Sequence, residues 1–508
     1  MKNKLLEILV ILLVAELLVV GYAFIAGGNN FLAFPTVSEL FAFERVGPAE
    51  GVDTLLSGYE RRLSESSLNP DSLQTSFSPV SVSIENPVSG GKSALDNFFD
   101  AVIFDSKSKV VRVAHFGDSQ LEGDRISYIL RNKLQSVFGG KGIGFLPMAD
   151  LVGPVSYYRN SSLNWTKYQV FNKPLPGGEP YGLGGIAFRF SHSATIEDSV
   201  EVTADAPLLE EGAIPEPPLE EPEELMPDTS VKKDTVKKKR SRTLYFSDAR
   251  ITYRLGSVPQ QVELHYGSVN QSCSLTVRHG KSKTLLLAVD LLESATPGSK
   301  LNILTLPPAE SYEMVLTGDE SPVFYGVYAN ASSGIALDNY SIRGHSGAGL
   351  MRVNAGFAQL QNRQLNTKLL IFQFGGNIAP FVDSQGEAAW AEELYFNLFE
   401  KYRIMFPDAS ILVISPGDMG TVRNGILQSY PGMGMIRDAI RRAARRAGCA
   451  YWDALTAMGG PQSVIAWSAK GLAAKDGHLS DRGARIISAE LLKALMNEFV
   501  DYKKRKGL

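Results

Sequence analysis

A mostly apolar run leads directly into a serine turn in Val110-Val111-Arg112-Val113-Ala114-His115-Phe116-Gly117-Asp118-Ser119-Gln120. The run before Gly117 predicts a buried β-strand, and residues 121–137 after the turn have the pattern of a helix. A tight turn between a buried strand and a helix exposes the serine Oγ beside the helix N-terminus, which stabilises negative charge. The run therefore predicts an α/β fold and marks Ser119 as a candidate nucleophile, although Gly-Asp-Ser alone is also ordinary turn chemistry.

The same α/β pattern returns in the second half of the chain. Residues 369–374 and 411–415 are nearly continuous apolar runs, as expected for parallel strands that are buried on both faces. Helical patterns lie between the strands, and a short strand at 450–452 precedes a C-terminal helix. These elements predict a flavodoxin-like three-layer α/β domain, whose two parts are residues 93–150 and 334–508.

The region between these two parts, residues 151–333, has a different pattern. Its residues 262–266, 274–278 and 312–316 alternate between apolar and polar side chains, with Gly, Pro and Ser between the runs. Alternation of this kind is typical of strands that are buried on one face only. The pattern predicts a β-sandwich domain inserted into the α/β domain.

Inside the predicted insertion lies a segment of low complexity, residues 205–242. Its first part, 205–230, is acidic and rich in proline, and its second part, 232–242, is strongly basic. Such a composition buries too little apolar area to offset the entropy lost on ordering, so a disordered surface loop is predicted. The basic part either contacts an anionic polymer or lipid, or it is solvated without a partner.

The N-terminus has the features of a membrane-targeting segment. Two lysines precede an apolar run that is interrupted by Glu7 and Glu16. About 20 apolar residues suffice to cross a bilayer, so residues 1–27 are predicted to be an uncleaved signal-anchor, that is, a transmembrane helix; a cleaved signal peptide is the alternative. Lysines before the span place the rest of the chain outside the cytoplasm, which for a bacterial chain means the periplasm or the outer face of the membrane, anchored to the inner membrane. Residues 28–92 lack sustained periodicity and are predicted to be a linker.

Length and composition exclude several classes of protein. A chain of 508 residues is expected to form two or three units, and its oligomeric state is left open. A net charge of −3 without a basic, aromatic-rich patch argues against a nucleic-acid partner. The two cysteines, Cys273 and Cys449, fall in different predicted domains and fit no metal spacing, and the six histidines do not cluster. No metal site and no cofactor are therefore predicted.

Four short motifs occur in the order Ser, Gly, Asn, His. They are Gly117-Asp118-Ser119-Gln120, Asn339-Tyr340-Ser341-Ile342-Arg343-Gly344-His345-Ser346-Gly347, Phe374-Gly375-Gly376-Asn377 and Asp476-Gly477-His478-Leu479-Ser480. This order resembles the SGNH (GDSL-type) hydrolase superfamily. The C-terminal part is similar to the subgroup that contains the peptidoglycan O-acetylesterases, through Tyr451-Trp452-Asp453, Met458-Gly459-Gly460, Trp467, Gly471-Leu472 and the Asp-Gly-His run. The resemblance covers about residues 95–150 and 325–500.

The resemblance implies a role for each motif. Ser119 would be the nucleophile and His478 its general base, with Asp476 as the group that orients the base. The developing oxyanion would be bound by the backbone N–H groups of Ser119 and Gly344 and by the side-chain amide of Asn377.

Two further side chains are predicted to line the cleft. Gln120, where the superfamily usually has leucine, is expected to face the mouth of the site, and His345 is adjacent to the glycine motif. Both are candidate substrate contacts. His115 lies within the predicted strand and is expected to be a packed histidine.

The spacing between Asp476 and His478 departs from the superfamily pattern. The usual spacing has two intervening residues, whereas this chain has only Gly477. Glycine permits backbone conformations that can compensate, so a Ser-His-Asp triad is expected. The alternative is a Ser/His dyad in which a backbone carbonyl holds His478, with Asp481 and Asp453 as fallback partners.

Together these inferences predict a serine carbohydrate esterase outside the cytoplasm that removes O-acetyl groups from a cell-envelope polysaccharide, with peptidoglycan as the first choice. Two alternatives stay open. A polysaccharide O-acetyltransferase would use the same Ser119 and His478 with a sugar hydroxyl in place of water, and a catalytically inactive glycan-binding envelope protein would keep only the fold. The insertion is expected either to resemble a carbohydrate-binding module or to be a scaffold that shapes the cleft.

Overall fold

The computed structural model of the protein describes residues 80–171, 174–203, 235–292 and 301–508. The predicted membrane segment, residues 1–27, lies outside the described residues, as does most of the predicted linker. Among the residues that are described, no helix combines the length and the apolar character needed to cross a bilayer.

Helices and strands alternate in the first and last parts of the described chain, whereas strands fill most of the middle. The α-helices are α1 (Asp96–Asp100), α2 (Arg125–Phe138), α3 (Ala355–Leu365), α4 (Gln385–Met405), α5 (Met433–Arg446), α6 (Ala454–Met458), α7 (Ser463–Ala469) and α8 (Asp481–Lys506). A π-helix spans Ala101–Asp105, and 3-10 helices span Ser119–Asp124, Pro176–Gly178, Ala348–Arg352 and Gly376–Phe381. The strands are β1 (Val88–Ser89), β2 (Lys92–Ser93), β3 (Val110–Gly117), β4 (Gly144–Leu146), β5 (Tyr158–Ser161), β6 (Trp165–Gln169), β7 (Ile186–Phe190), β8 (Ser193–Thr203), β9 (Thr235–Tyr245), β10 (Ala249–Arg254), β11 (Gln261–Tyr266), β12 (Cys273–His279), β13 (Leu285–Asp290), β14 (Asn302–Leu306), β15 (Ser311–Gly318), β16 (Phe324–Asn330), β17 (Gly334–Ser341), β18 (Thr367–Gln373), β19 (Ser410–Ile414), β20 (Gly420–Arg423), β21 (Ile426–Ser429) and β22 (Ala450–Trp452).

Five strands form a parallel sheet in the order β17-β3-β18-β19-β22. Numbered by position along the chain, this order is 2-1-3-4-5, which is that of flavodoxin-like folds. The strands are buried along most of their length, as their apolar runs predicted. Ligands of such sheets bind at the carboxyl ends of the strands, and Ser119 directly follows the interior strand β3.

Helices cover both faces of this sheet. Successive residues of a strand point to opposite faces. On β3, the ring of His115 meets Ser127 of α2, whereas the ring of Phe116 packs against Tyr402 of α4 with 5.6 Å between ring centroids. Helix α8 packs on α2, and α5 packs on α4. The sheet is therefore the middle of three layers, as the sequence predicted.

Two antiparallel sheets are formed by the residues between β3 and β17. One has the order β13-β12-β15-β10-β5, and the other has the order β14-β11-β16-β7-β6, with β4 paired to β16. Buried side chains of both sheets belong to one continuous apolar cluster, among them Tyr253 and Leu275 of the first and Leu264 and Phe324 of the second. Because β4 already belongs to the second sheet, the insertion begins before the predicted boundary at residue 151.

Strands β8 and β9 form a long two-stranded ribbon next to the low-complexity segment. The backbone register places residue 198 opposite residue 240. The prediction of a disordered loop over 205–242 is therefore wrong for residues 235–242, which form part of β9. Composition alone missed this strand because its partner lies on the other side of the acidic, proline-rich segment.

The last part of the predicted linker packs on the edge of the parallel sheet. Glu85 forms a β-bridge with Tyr451 of β22. The indole Nε1 of Trp452 donates a hydrogen bond to the carbonyl oxygen of Val82 over 3.1 Å, and Ile84 is buried. Residues 80–92 thus belong to the folded domain.

Candidate active site

Ser119 lies just past the carboxyl end of β3, in the first position of a 3-10 helix. Asp118 caps this helix, because its Oδ1 accepts a hydrogen bond from the backbone N–H of Gln120 over 3.0 Å. Ser119 is only 9% exposed, and its Oγ lies 2.7 Å from Nε2 of His478. At this distance a histidine can take the hydroxyl proton as the oxygen attacks a substrate.

Asp476 meets the other side of the same imidazole ring. Its Oδ2 lies 2.9 Å from Nδ1 of His478, and its Oδ1 accepts a hydrogen bond from the backbone N–H of His478 over 3.1 Å. Partial burial alone would raise the pKa of Asp476, but these hydrogen bonds and the nearby imidazole outweigh it and lower the pKa below its usual value. The three side chains have the geometry of a Ser-His-Asp triad.

Gly477 makes the short Asp-His spacing possible. Its φ of +94° lies in the region that favours glycine, and this backbone turn brings the carboxylate of Asp476 back to the ring. A Cβ at this position would also lie 2.6 Å from the carbonyl oxygen of Asp418 and 2.9 Å from the Cα of Met419. Glycine is therefore required here both by conformation and by space.

The fallback partners of His478 have other places in the structure. Asp453 caps α6 through a hydrogen bond from the backbone N–H of Thr456 over 2.9 Å and also faces Arg437 at 3.3 Å. Asp481 is exposed in the first turn of α8. The structure brings Asp476, rather than either of these, to the imidazole of His478.

Two of the three predicted oxyanion donors, Gly344 and Asn377, lie in the loops after β17 and β18. Gly344 has a φ of +70°, and a Cβ built on it would meet nothing within 4 Å, so its surroundings leave room for a ligand. The side-chain Nδ2 of Asn377 donates to Oδ2 of Asp118 over 2.9 Å and to the carbonyl oxygen of His345 over 3.2 Å. Asn377 therefore ties together the loops after all three strands.

Asp118 is buried beneath this arrangement and is 4% exposed. Burial raises its pKa to about 6, although the hydrogen bonds from Gln120 and Asn377 and the nearby His478 act in the opposite direction. A carboxylate at this position accepts from the capped turn and from Asn377 at the same time. Its role is to hold the geometry of the Ser119 turn, which we define as residues 117–120.

Gln120 does not point out of the cleft. Its Nε2 donates to the carbonyl oxygen of Gly477 over 2.9 Å, and its Oε1 accepts from the backbone N–H of Leu479 over 3.1 Å. Both ends of the amide are thus engaged by the His478 loop, which we define as residues 474–480. The structure uses Gln120 within the protein, where the sequence predicted a substrate contact.

His345 is likewise turned inward and is 3% exposed. Its ring packs against Phe171 and Phe374, with centroids 5.4 and 5.8 Å apart. Its Nδ1 and Nε2 lie 3.2 and 3.1 Å from the backbone nitrogens of Gly347 and Gly349, and a neutral ring accepts at whichever of the two carries no hydrogen. Burial lowers its pKa to about 4, so the ring is neutral. The sequence predicted that His345 contacts the substrate, whereas in the structure its ring packs inside the protein and shapes the loop after β17.

His115 has the packed position that the sequence predicted. It is fully buried, and its ring lies between Ser127 at 3.0 Å and Gln373 at 3.2 Å. Burial lowers its pKa to about 4.

Several residues near the site were missed by sequence reasoning. Arg125 donates to the carbonyl oxygens of Leu479 over 2.6 Å and Ser119 over 3.4 Å. Asp418 is fully buried and accepts from Ser429 Oγ over 2.6 Å. Asp418 follows β19 closely, and polar residues just past a buried parallel strand are the signal that could have found it.

An open cavity of about 770 Å³ is lined by the insertion and by the loop after β17. Phe171, which packs on His345, and Arg343, which precedes Gly344, both belong to its wall. Leu151 and Leu163 add exposed apolar surface. Within the described ranges, no group of three or more His, Cys, Asp or Glu side chains is arranged to hold a metal ion.

Comparison with known proteins gives matches in structure. No family profile matches the chain. No curated protein matches it. A solved structure titled as a peptidoglycan O-acetylesterase in action superposes with a TM-score of 0.56 at 19% identity, covering 82% of this chain and 99% of that one. The chain shares the fold of a peptidoglycan O-acetylesterase.

Two further solved structures match smaller parts. An acetyl xylan esterase has a TM-score of 0.25 at 17% identity, covering 32% of this chain and 81% of its own. A family two carbohydrate esterase from Cellvibrio japonicus has a TM-score of 0.24 at 8% identity, covering 51% of this chain and 90% of its own. The superposition with the peptidoglycan O-acetylesterase structure, at a TM-score of 0.56, confirms the predicted resemblance to that subgroup at the level of the fold.

Proposed function

We propose that the protein is a serine carbohydrate esterase that removes O-acetyl groups from a cell-envelope polysaccharide, with peptidoglycan as the substrate. The observation that carries the proposal is the contact between Ser119 Oγ and His478 Nε2 at 2.7 Å, with Asp476 at 2.9 Å from the other ring nitrogen. A serine, a base and a group that orients the base are the parts that acyl transfer through a serine requires.

The reaction proceeds in two halves. Ser119 Oγ attacks the acetyl carbonyl carbon while His478 Nε2 takes the hydroxyl proton, and Asp476 stabilises the imidazolium that forms. The proton then passes to the sugar oxygen as that oxygen leaves, which produces an acetyl-enzyme and a free hydroxyl. A water molecule, deprotonated by His478, hydrolyses the acetyl-enzyme to acetate and restores the serine.

Negative charge develops on the carbonyl oxygen in both halves. The backbone N–H groups of Ser119 and Gly344 and the amide of Asn377 are the donors for this oxygen. These groups are neutral and fixed in place, which is the condition under which such donors lower a barrier most.

The choice of polymer rests on the fold and on the cavity. The peptidoglycan O-acetylesterase structure is matched over 99% of its length and 82% of this chain, which supports a substrate of the same class. We propose that the two antiparallel sheets form a β-sandwich that holds the glycan in the cavity beside Arg343 and Phe171. The proposed location, a bacterial inner-membrane anchor with the catalytic domain in the periplasm, rests on residues 1–27 of the sequence.

Acetate release from O-acetylated peptidoglycan tests the proposal directly. We expect the full-length protein to release acetate, and Ser119→Ala to release it at least about 10³-fold more slowly. Ser136→Ala, a matched control on the exposed face of α2, should release acetate at the wild-type rate. Acetylated xylan is the comparison polymer. No release by the wild type from either polymer or from an aryl acetate would contradict the esterase, and acetyl transfer only to an added sugar hydroxyl would show a transferase.

A further inference from the structure

The imidazole of His478 depends on a loop that is largely at the surface. The side chain of His478 is 35% exposed, and that of Asp476 is 63% exposed. Ion pairs and hydrogen bonds in such solvated positions contribute little to stability. Asp476 therefore holds the ring only weakly. The loop is also held by the backbone N–H of Ala474, which donates to the carbonyl oxygen of His478 over 2.7 Å, and by a side-chain contact from outside the loop.

Gln120 supplies that contact from the Ser119 turn. It is bound to the residue before His478 and to the residue after it, through Gly477 O at 2.9 Å and Leu479 N at 3.1 Å. Only one orientation of the amide satisfies both bonds, because a carbonyl oxygen needs a donor and an N–H group needs an acceptor. Arg125 adds a bond to the carbonyl of Leu479 from the same side.

We propose that Gln120 is a positioning residue, which fixes the backbone on both sides of His478 and thereby sets the distance from Ser119 Oγ to His478 Nε2. The proposal rests on the proposed esterase function, in which that distance governs proton transfer. Ser119 and Gln120 are consecutive residues. The turn that positions the nucleophile therefore also holds the loop that positions its general base.

Substitutions at Gln120 distinguish a positioning role from a contact with the substrate. Gln120→Met keeps the length of the side chain and removes both hydrogen bonds, whereas Gln120→Glu keeps an acceptor for Leu479 and places a carboxylate oxygen against the carbonyl of Gly477. The matched control is Gln135→Met. Gln135 is also half-buried and also bridges two backbone groups, the carbonyls of Gly142 and Ile335, each at 3.1 Å.

We expect kcat on a soluble aryl acetate to fall by about 10- to 100-fold in Gln120→Met and at least as far in Gln120→Glu, since a displacement of about 1 Å can cost 10²-fold. The KM should stay within about twofold, and the Tm of Gln120→Met should change no more than that of Gln135→Met. A raised KM with unchanged kcat would make Gln120 a substrate contact and would overturn the proposal.

The ring of His478 gives a readout that does not need turnover. In protein with 15N-labelled histidine, the wild type should show a single tautomer with hydrogen on Nδ1, and Gln120→Met should show a mixture. If the wild type releases no acetate but the tautomer still changes in Gln120→Met, the esterase proposal fails, whereas the positioning role of Gln120 is supported. Unchanged kcat together with an unchanged His478 spectrum in Gln120→Met would overturn the proposal that Gln120 positions His478.

Discussion

The Ser119 turn and the His478 loop bring the two reacting groups together by different means. Ser119 follows an interior strand of a parallel sheet, and its turn is held by the buried Asp118 and by Asn377. His478 lies in a half-exposed loop whose backbone depends on Gly477 and Gln120. The fold therefore places the nucleophile, whereas a few individual contacts place the base, and the loop is where single substitutions should reduce activity without unfolding the protein.

The largest effect is expected from Gly477→Ala in the His478 loop. An alanine there would require an unfavourable φ and would press its Cβ against Asp418 and Met419, so the loop must move. We expect kcat to fall by about 10³-fold, since 1 Å of displacement alone can cost about 10²-fold. The control is Gly471→Ala, which has a similar φ of +65° but meets nothing within 4 Å; equal kcat in the two variants would contradict the argument.

The next largest loss of activity is expected from Asn377→Ala, which removes a side chain that contacts the Ser119 turn. Loss of an oxyanion donor typically costs about 10²- to 10³-fold in kcat, and the same change removes a bond to Asp118. Steady-state kinetics on an aryl acetate measure it. Asn354→Ala is the control, because Asn354 caps α3 and should affect stability alone. A kcat within twofold of the wild type would remove Asn377 from the proposed mechanism.

Asp118 gives the Ser119 turn a pH dependence through its raised pKa. Its pKa in the folded state, about 6, lies above the ordinary 3.8, so the folded protein binds the proton more tightly than the unfolded chain. Stability from this group is therefore present below the unfolded pKa and is lost as the pH rises through about 6, by about 3 kcal/mol.

Chemical denaturation of the wild type and Asp118→Asn from acidic to neutral pH measures this effect. Since the variant cannot titrate at position 118, the wild type should lose free energy of unfolding relative to it as the pH rises. Parallel stability curves for the two proteins would contradict the assignment of the raised pKa.

The smallest effect should come from Asp476→Ala. Because this carboxylate is mostly solvated and Gln120 holds the loop, we expect kcat to fall by only about 10-fold, well short of the loss seen when a buried triad aspartate is altered. The double variant Asp476→Ala, Gln120→Met should lose more than the product of the two single losses. A loss of about 10⁴-fold in the single variant would show that Asp476 alone orients the base.

The same comparison explains what the sequence could predict. The parallel strands and the Ser119 turn were predictable because a continuous apolar run followed by a turn is a local signal, readable from adjacent residues. The engagement of Gln120 was not, because its partners Gly477 and Leu479 are distant in the chain and only the folded sheet brings them together. His345 was misplaced for the same reason, since nothing local shows that Phe171 covers its ring.

The insertion shows the limits of composition. Its alternating runs predicted antiparallel strands, and the described sheets contain them. The basic residues of β9 were assigned to a disordered loop because a run of like charge has no partner when taken alone. Their partner strand, β8, carries acidic residues in register with them, and that pairing depends on a contact across the acidic, proline-rich segment.

The most direct test of the central claim is to trap the acetyl-enzyme. Full-length protein would be mixed with an aryl acetate, quenched in acid within milliseconds to seconds, digested and analysed by mass spectrometry. We predict an acetyl group on the peptide that contains Ser119, formed at a rate that accounts for kcat and absent from Ser119→Ala. Acetate release by the wild type without any acetyl group on that peptide, at a rate unchanged in Ser119→Ala, would contradict the account.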